Sequence, residues 1–151
     1  MTAFWKSFTD PQRALLRRAI EVAETDTSGE IRVHIENKCP EDPFDRAAHI
    51  FAKMEMHKTR LRNGVLFYVA AGDRKLVILG DAGINAIVSE DFWESTKEMV
   101  LQHFREGKFT EGLVAGINHT GHLLKKHFPY QKGDVNELSD EISFGEDIDN
   151  R

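Results

Sequence analysis

The sequence predicts an α/β fold: one domain built as a three-layer α/β/α sandwich around a small mixed central sheet. Three observations carry this expectation. An alternating stretch, Ile31, Val33 and Ile35 against Arg32, His34 and Glu36, reads as a strand buried on one face. A continuous apolar run, Val65-Leu66-Phe67-Tyr68-Val69-Ala70, reads as a strand covered on both faces. Between and around them lie segments whose apolar residues recur at helical spacing. With 151 residues, 40% of them hydrophobic, the chain suits one domain with a sizeable core.

Taken in order, Thr9-Asp10-Pro11-Gln12 announces the first helix. Thr9 or Asp10 supplies the cap, Pro11 is tolerated only in the first turn, and Gln12 closes a capping box. Leu15, Leu16, Ala19, Ile20 and Ala23 form its apolar stripe, and Thr25-Asp26-Thr27-Ser28-Gly29 ends it. The alternating strand then begins at Glu30. After a loop with Pro40 and Pro43, the spacing of Phe44, Ala47, Ala48, Phe51 and Met54 predicts a second helix over about residues 44–58. Arg60-Leu61-Arg62-Asn63-Gly64 leads into the apolar strand. Gly72-Asp73 is a hairpin turn, so Leu76-Val77-Ile78-Leu79 returns as its antiparallel partner and Gly80-Asp81-Ala82-Gly83 closes it. Phe92, Trp93, Thr96, Met99, Val100 and Phe104 mark a third helix over about residues 90–106. Thr110 is the expected cap of a fourth, which runs through Leu113, Val114, Ile117 and Leu124 to Phe128-Pro129.

Charge divides the chain into a domain over 1–132 and an acidic tail over 133–151. The tail holds seven acidic side chains against Arg151 alone, net −6, while the remainder is +1 and the whole chain −5. With Val135, Leu138, Ile142, Phe144 and Ile148 as its only large apolar residues, the tail reads as a flexible, solubilising appendage whose removal leaves the melting temperature unchanged. A docking peptide anchored by Leu138, Ile142 and Phe144 is the other reading. No domain-wide basic footprint marks a nucleic-acid partner. One cysteine, Cys39, excludes an internal disulfide, and no Cys/His spacing reads as structural zinc. The first residues do not resemble a signal peptide, and no apolar stretch approaches the roughly 18 residues of a membrane span. The expectation is a cytoplasmic protein.

The topology makes a geometric claim. A strand, a crossover helix and a second strand run parallel in nearly all such units. The heads of the Ile31 and Val65 strands then share one sheet edge, and the hairpin returns the tail of the Leu76 strand to it. Glu30, Asn63 and Asp81 should gather there, with Asp26 on the approaching loop. Converging carboxylate and carbonyl oxygens suit a hard cation such as calcium, which takes six to eight oxygen ligands. The competing reading is that Asp81 caps a turn and Glu30 pairs with Arg60 or Arg62.

Other residues point less far. His119 and His122, three apart on one helix, read as a surface or half-buried pair. His34 points away from the core or packs beneath a helix. Cys39 lies beside Glu41 and Asp42, a setting unsuited to a nucleophile. Lys58, Arg60 and Arg62 grip a phosphate or simply solvate a loop. Gly80-Asp81-Ala82-Gly83 lacks the glycine spacing of a dinucleotide site.

The ordered set Ser28-Gly29-Glu30-Ile31-Arg32-Val33, Asn63-Gly64-Val65-Leu66, Asp73-Arg74-Lys75, Gly80-Asp81-Ala82-Gly83-Ile84, Trp93, Phe104, Gly107-Lys108-Phe109-Thr110-Glu111-Gly112-Leu113 and Phe128-Pro129 resembles the TPM-domain family over about residues 8–130. That family groups thylakoid-lumen phosphatase-like proteins, photosystem repair proteins and acetylcholine-receptor modulators. The resemblance implies a sheet sandwiched by helices and a divalent-cation site, calcium in some members, to which Glu30 and Asp81 correspond. Some plant relatives are credited with acid phosphatase activity. The leading expectation is therefore a non-enzymatic calcium-binding module that supports assembly or maintenance of a protein partner complex. The alternative is a metal-assisted phosphomonoesterase in which Glu30 and Asp81 hold the ion and Arg60 or Arg62 receives phosphate. A plain interaction scaffold is the third reading.

Overall fold

A capping box opens the first described element. The Thr9 hydroxyl accepts from the Gln12 backbone N–H and the Gln12 side chain accepts from the Thr9 N–H, starting α1 (Asp10–Glu24). The computed structural model describes residues 9–130 and 142–145. After α1 come β1 (Glu30–Glu36), α2 (Pro43–Lys53), β2 (Gly64–Ala70), β3 (Lys75–Gly80), α3 (Ala82–Asn85), α4 (Glu90–Arg105), α5 (Phe109–His127) and β4 (Ser143–Phe144). The sheet order is β3-β2-β1-β4, with β1 parallel to both β2 and β4 and β3 antiparallel to β2.

Strand alternation sorts the core into two compartments. Ile31, Val33 and Ile35 of β1, Val65, Phe67 and Val69 of β2 and Leu76 of β3 pack with α1, α4 and α5. Leu66, Tyr68 and Ala70 pack with Ala47, Ile50 and Phe51 of α2 on the opposite face. The mixed α/β/α sandwich stands as the sequence predicts.

Several elements depart from the sequence expectation, each for a local reason. β1 is buried along its whole length, not on one face, because α2 covers its polar phase as well. The second helix stops at Lys53 instead of about 58, since Glu55 takes a left-handed backbone (φ 57°). Its start is set by Asp42, whose carboxylate accepts from the Phe44 and Asp45 N–H groups. Arg74, also left-handed (φ 55°), completes the hairpin turn begun at Gly72-Asp73. Thr110 is not the cap of α5: the helix starts at Phe109, and the Thr110 hydroxyl is buried inside the first turn.

The acidic segment differs most. Ser143 and Phe144 form β4 beside His34 and Ile35, Phe144 joins the main core, and the Arg13 guanidinium lies 4.5 Å over its ring. Over 142–145 the segment is therefore built into the sheet rather than free. Two of the anchors named for a docking peptide, Ile142 and Phe144, dock onto their own chain. Leu138, and the rest of 133–141 and 146–151, lie outside the described residues, as do residues 1–8. Among the described residues no helix is long and apolar enough to cross a membrane.

Candidate functional site

Registry brings Glu30, Asn63 and Asp81 to one edge. Glu30 stands opposite Gly64 across the parallel pair, its N–H donating to the Asn63 carbonyl at 3.3 Å. On the other side the Asp81 N–H donates to the Gly64 carbonyl at 2.9 Å. Glu30, Gly64 and Asp81 thus form one row across three strands, and alternation turns both acidic side chains toward the α2 face. Two strand spacings separate them, about 10 Å. The residue between is glycine, and Met56 packs over it, its carbonyl oxygen 3.4 Å and its side-chain methyl 3.5 Å from where a Cβ would stand.

Each carboxylate of the row meets an arginine. Arg62 donates through Nε and Nη2 to the two oxygens of Asp81, at 2.7 and 2.8 Å. The Ala82 N–H adds a third bond, so Asp81 also caps α3, a one-turn helix absent from the sequence expectation. Burial pushes the Asp81 carboxyl upward, but Arg62 and the Ala82 N–H outweigh it and hold it below the usual carboxylate range. Arg62 itself is left-handed (φ 52°) with its side chain half exposed. Glu30 meets Arg32, 3.6 Å away, and Arg32 in turn bonds to Glu24 at 2.9 Å. Asp81 thus caps a turn, as the competing reading has it, while the ion pair seen at Glu30 is with Arg32 of its own strand.

Asn63 is buried and donates from its side-chain amide to Ser28. Asp26 stays outside the row. It is exposed on a left-handed turn (φ 66°), where its carbonyl takes the Tyr130 N–H. Among the described residues no group of three or more His, Cys, Asp and Glu converges as a metal centre would. An ion at Asp81 therefore fits these residues only if it takes the place of the Arg62 guanidinium, the rest of its shell being carbonyl oxygens and water.

The remaining candidates take ordinary structural roles. His119 stacks on Phe92 at 5.1 Å and His122 is exposed. The Cys39 thiol donates to the Glu41 carbonyl. Lys58 pairs with Glu55.

A second polar cluster, one that periodicity does not reveal, lies beneath α2. Glu36, 4% exposed, accepts from Arg46 at 2.9 Å through both oxygens and from the Tyr68 hydroxyl. His34 Nε2 lies 3.1 Å from the same carboxylate, and its Nδ1 lies 2.7 Å from the Ser143 hydroxyl of β4. A carboxylate only accepts, so Nε2 carries the proton, and in the neutral ring Nδ1 accepts from Ser143. Burial pushes the Glu36 carboxyl upward, yet the bonds from His34, Arg46 and Tyr68 hold it down at about 2. Burial first, then its bonds with Cys39 and Glu36, pushes the Tyr68 hydroxyl well up. The sequence signal was the unbroken polar phase Glu30, Arg32, His34, Glu36 in a strand that feeds a crossover helix, since such a helix must cover one face of its sheet.

A four-stranded mixed sheet with α2 on one face and α1, α4 and α5 on the other, carrying an acidic row at one end, defines the class of domain among the described residues. The chain belongs to the TPM domain family, whose model matches residues 3–123. Among solved structures it is similar to the BA42 protein of the psychrophilic bacterium Bizionia argentinensis, at 47% identity and a TM-score of 0.85, over 91% of this chain and 94% of that one. It is also similar in fold to the N-terminal domain of the cg2496 protein of Corynebacterium glutamicum, at 10% identity and a TM-score of 0.66, over 89% and 84% of the two chains. No curated protein matches.

Proposed function

We propose that this chain is a non-enzymatic module that binds a divalent cation, calcium first among them, at the head of its sheet and so supports assembly or maintenance of a protein complex. The observation that carries the reading is the row Glu30–Gly64–Asp81. It holds two carboxylates on one face, either side of a glycine over which Met56 packs. Asp81 is the principal donor: it is ionised well below neutrality, and the group that now neutralises it is a half-exposed arginine able to swing into solvent. Binding is then an exchange of Arg62 for the ion, with Glu30 and Asn63 as further oxygen donors. Such a shared, partly hydrated site belongs to the weak range, about 10⁻⁴–10⁻³ M.

The exchange has a signature. Calcium titrated into the ¹⁵N-labelled protein shifts the amides of Arg62, Asp81 and Ala82, and Asp81→Asn removes the response. Arg62→Ala deletes the internal competitor and tightens binding by several-fold. Silent amides at these positions in both the native chain and Arg62→Ala would end the cation reading.

The phosphomonoesterase alternative draws on the same neighbourhood, because an ion at Asp81 would release the Arg62 guanidinium beside it to receive a phosphoryl oxygen. Hydrolysis of p-nitrophenyl phosphate with added calcium or magnesium tests it. Turnover that Asp81→Asn abolishes supports catalysis here, whereas turnover that survives it belongs to another enzyme.

A further inference from the structure

The two edges of the sheet are finished differently. The β1 edge is covered by Ser143–Phe144, whereas among the described residues β3 is the last strand on its side. Antiparallel pairing alternates, and the bond from the Asp81 N–H to Gly64 fixes its phase. By the register, Leu79, Val77 and Lys75 bond to β2, while Leu76 and Ile78 direct their N–H and C=O groups away from the sheet. The Gly80 carbonyl, in the same outward phase, is capped by the Asn85 side chain, which closes the edge at that end. The outward groups of Leu76 and Ile78 are met by no such bond among the described residues. A strand edge left this way is a template for another strand, and proteins ordinarily blunt or cover it.

This edge lies at the floor of a groove between the start of α2 and the side of α4. Phe44, 57% exposed, forms the wall on the α2 face, and Trp93 and Leu101 form the wall on the α4 face. Arg74, Lys75 and Lys97 outnumber the groove's anions, Asp42 and Glu94, and the Asp42 carboxylate is already engaged in capping α2. The groove lining thus carries a net positive charge, complementary to acidic side chains.

We propose that the β3 edge docks an extended acidic segment of a partner protein as a fifth strand. The free backbone groups of Leu76 and Ile78 pair with its main chain. Its alternate side chains fall on the two walls, apolar ones against Phe44 and Trp93 and acidic ones toward Arg74, Lys75 and Lys97. The inference rests on the strand edge and its charge, and holds whether or not a cation binds at Asp81, which follows β3 at the end of the edge that Asn85 closes.

Two pools of capped hexapeptides test it. One carries Asp or Glu at alternate positions with Val, Ile, Phe or Tyr between; the other carries Lys in place of the acids. Added to the ¹⁵N-labelled full chain, the acidic pool shifts the Leu76 and Ile78 amides and the Trp93 indole saturably, and the Lys pool binds at least about tenfold more weakly. Ile78→Pro removes the outward N–H and leaves the ladder to β2, so it abolishes the response. Lys97→Glu, which touches no strand pairing, weakens the acidic pool by about tenfold. The proposal is overturned by equal response to both pools, by no saturable response at β3, or by Lys97→Glu binding as the native chain does. It is overturned equally if the β3 amides shift with protein concentration alone, since the occupant is then a second copy of this chain.

Discussion

Three side chains converge on the Glu36 carboxylate, and each replaces a hydrogen bond that water would otherwise supply. Because the folded carboxyl sits at about 2, below its ordinary 4.5, the folded state binds this proton less readily than the unfolded chain. The stabilisation is complete above pH 4.5 and is lost as pH falls from there through about 2, amounting to about 3 kcal/mol. Glu36→Gln leaves Arg46 buried without its counter-charge. Urea unfolding at pH 7 should show it destabilised by about 3 kcal/mol, with the acid limb between pH 4.5 and 2 flattened. Gly83 is the second sensitive residue. A Cβ there would collide with the Leu61 carbonyl and lie 2.7 Å from that of Arg62, while its own N–H bonds to Arg62. Gly83→Ala must therefore displace the loop that carries Arg62. Its expected result is a loss of about 1–3 kcal/mol, with amide shifts concentrated at residues 61–63 and 81.

At the level of elements, α2 and α5 show how side-chain chemistry is converted into placement. α2 is short and covers a face of the sheet alone, so its start matters: Asp42 satisfies two otherwise orphaned N–H groups. Asp42→Ala should cost about 1 kcal/mol in thermal unfolding, and Asp42→Asn much less, because the amide oxygen still caps. α5 lies deeper, between α1 and α4. A Cβ at Gly121 would come within 2.8 Å of the Ala23 Cβ and 3.0 Å of its backbone, so the two helices approach too closely for any side chain. Gly116 does the same against Phe67 and Val100. β1 is the element most changed by its surroundings, since its polar phase becomes interior once α2 and β4 close over it.

On the scale of the molecule, a four-stranded sheet with two margins has one margin covered by its own C-terminal segment and one lined by a cationic groove. The strand that covers the first lies beyond residues 3–123, the part matched by the family model. A chain ending at residue 130 would lose Phe144 from the core and Ser143 from His34, and expose the β1 edge. Its melting temperature should fall by several degrees, in the range for a loss of about 1–2 kcal/mol. Sedimentation should reveal stronger self-association than that of the full chain. An unchanged melting temperature would mean that β4 contributes nothing to stability, as expected of a purely solubilising tail.

What the sequence determined by itself was local or topological. Thr9-x-x-Gln12 announces α1, the Val65–Ala70 run announces a strand covered on both faces, and Gly72-Asp73 announces the hairpin, since caps, periodicity and turns depend on neighbours in the chain. The meeting of Glu30 with Asp81 also followed, from the general rule that a crossover sets strands parallel. Only the tertiary structure decided how those carboxylates are answered. Arg62 reaches Asp81 across 19 residues and Ser143 reaches His34 across 109. Such pairings follow from strand register and helix placement, which no local pattern encodes, and the charge a side chain meets in a folded protein depends on what is packed beside it.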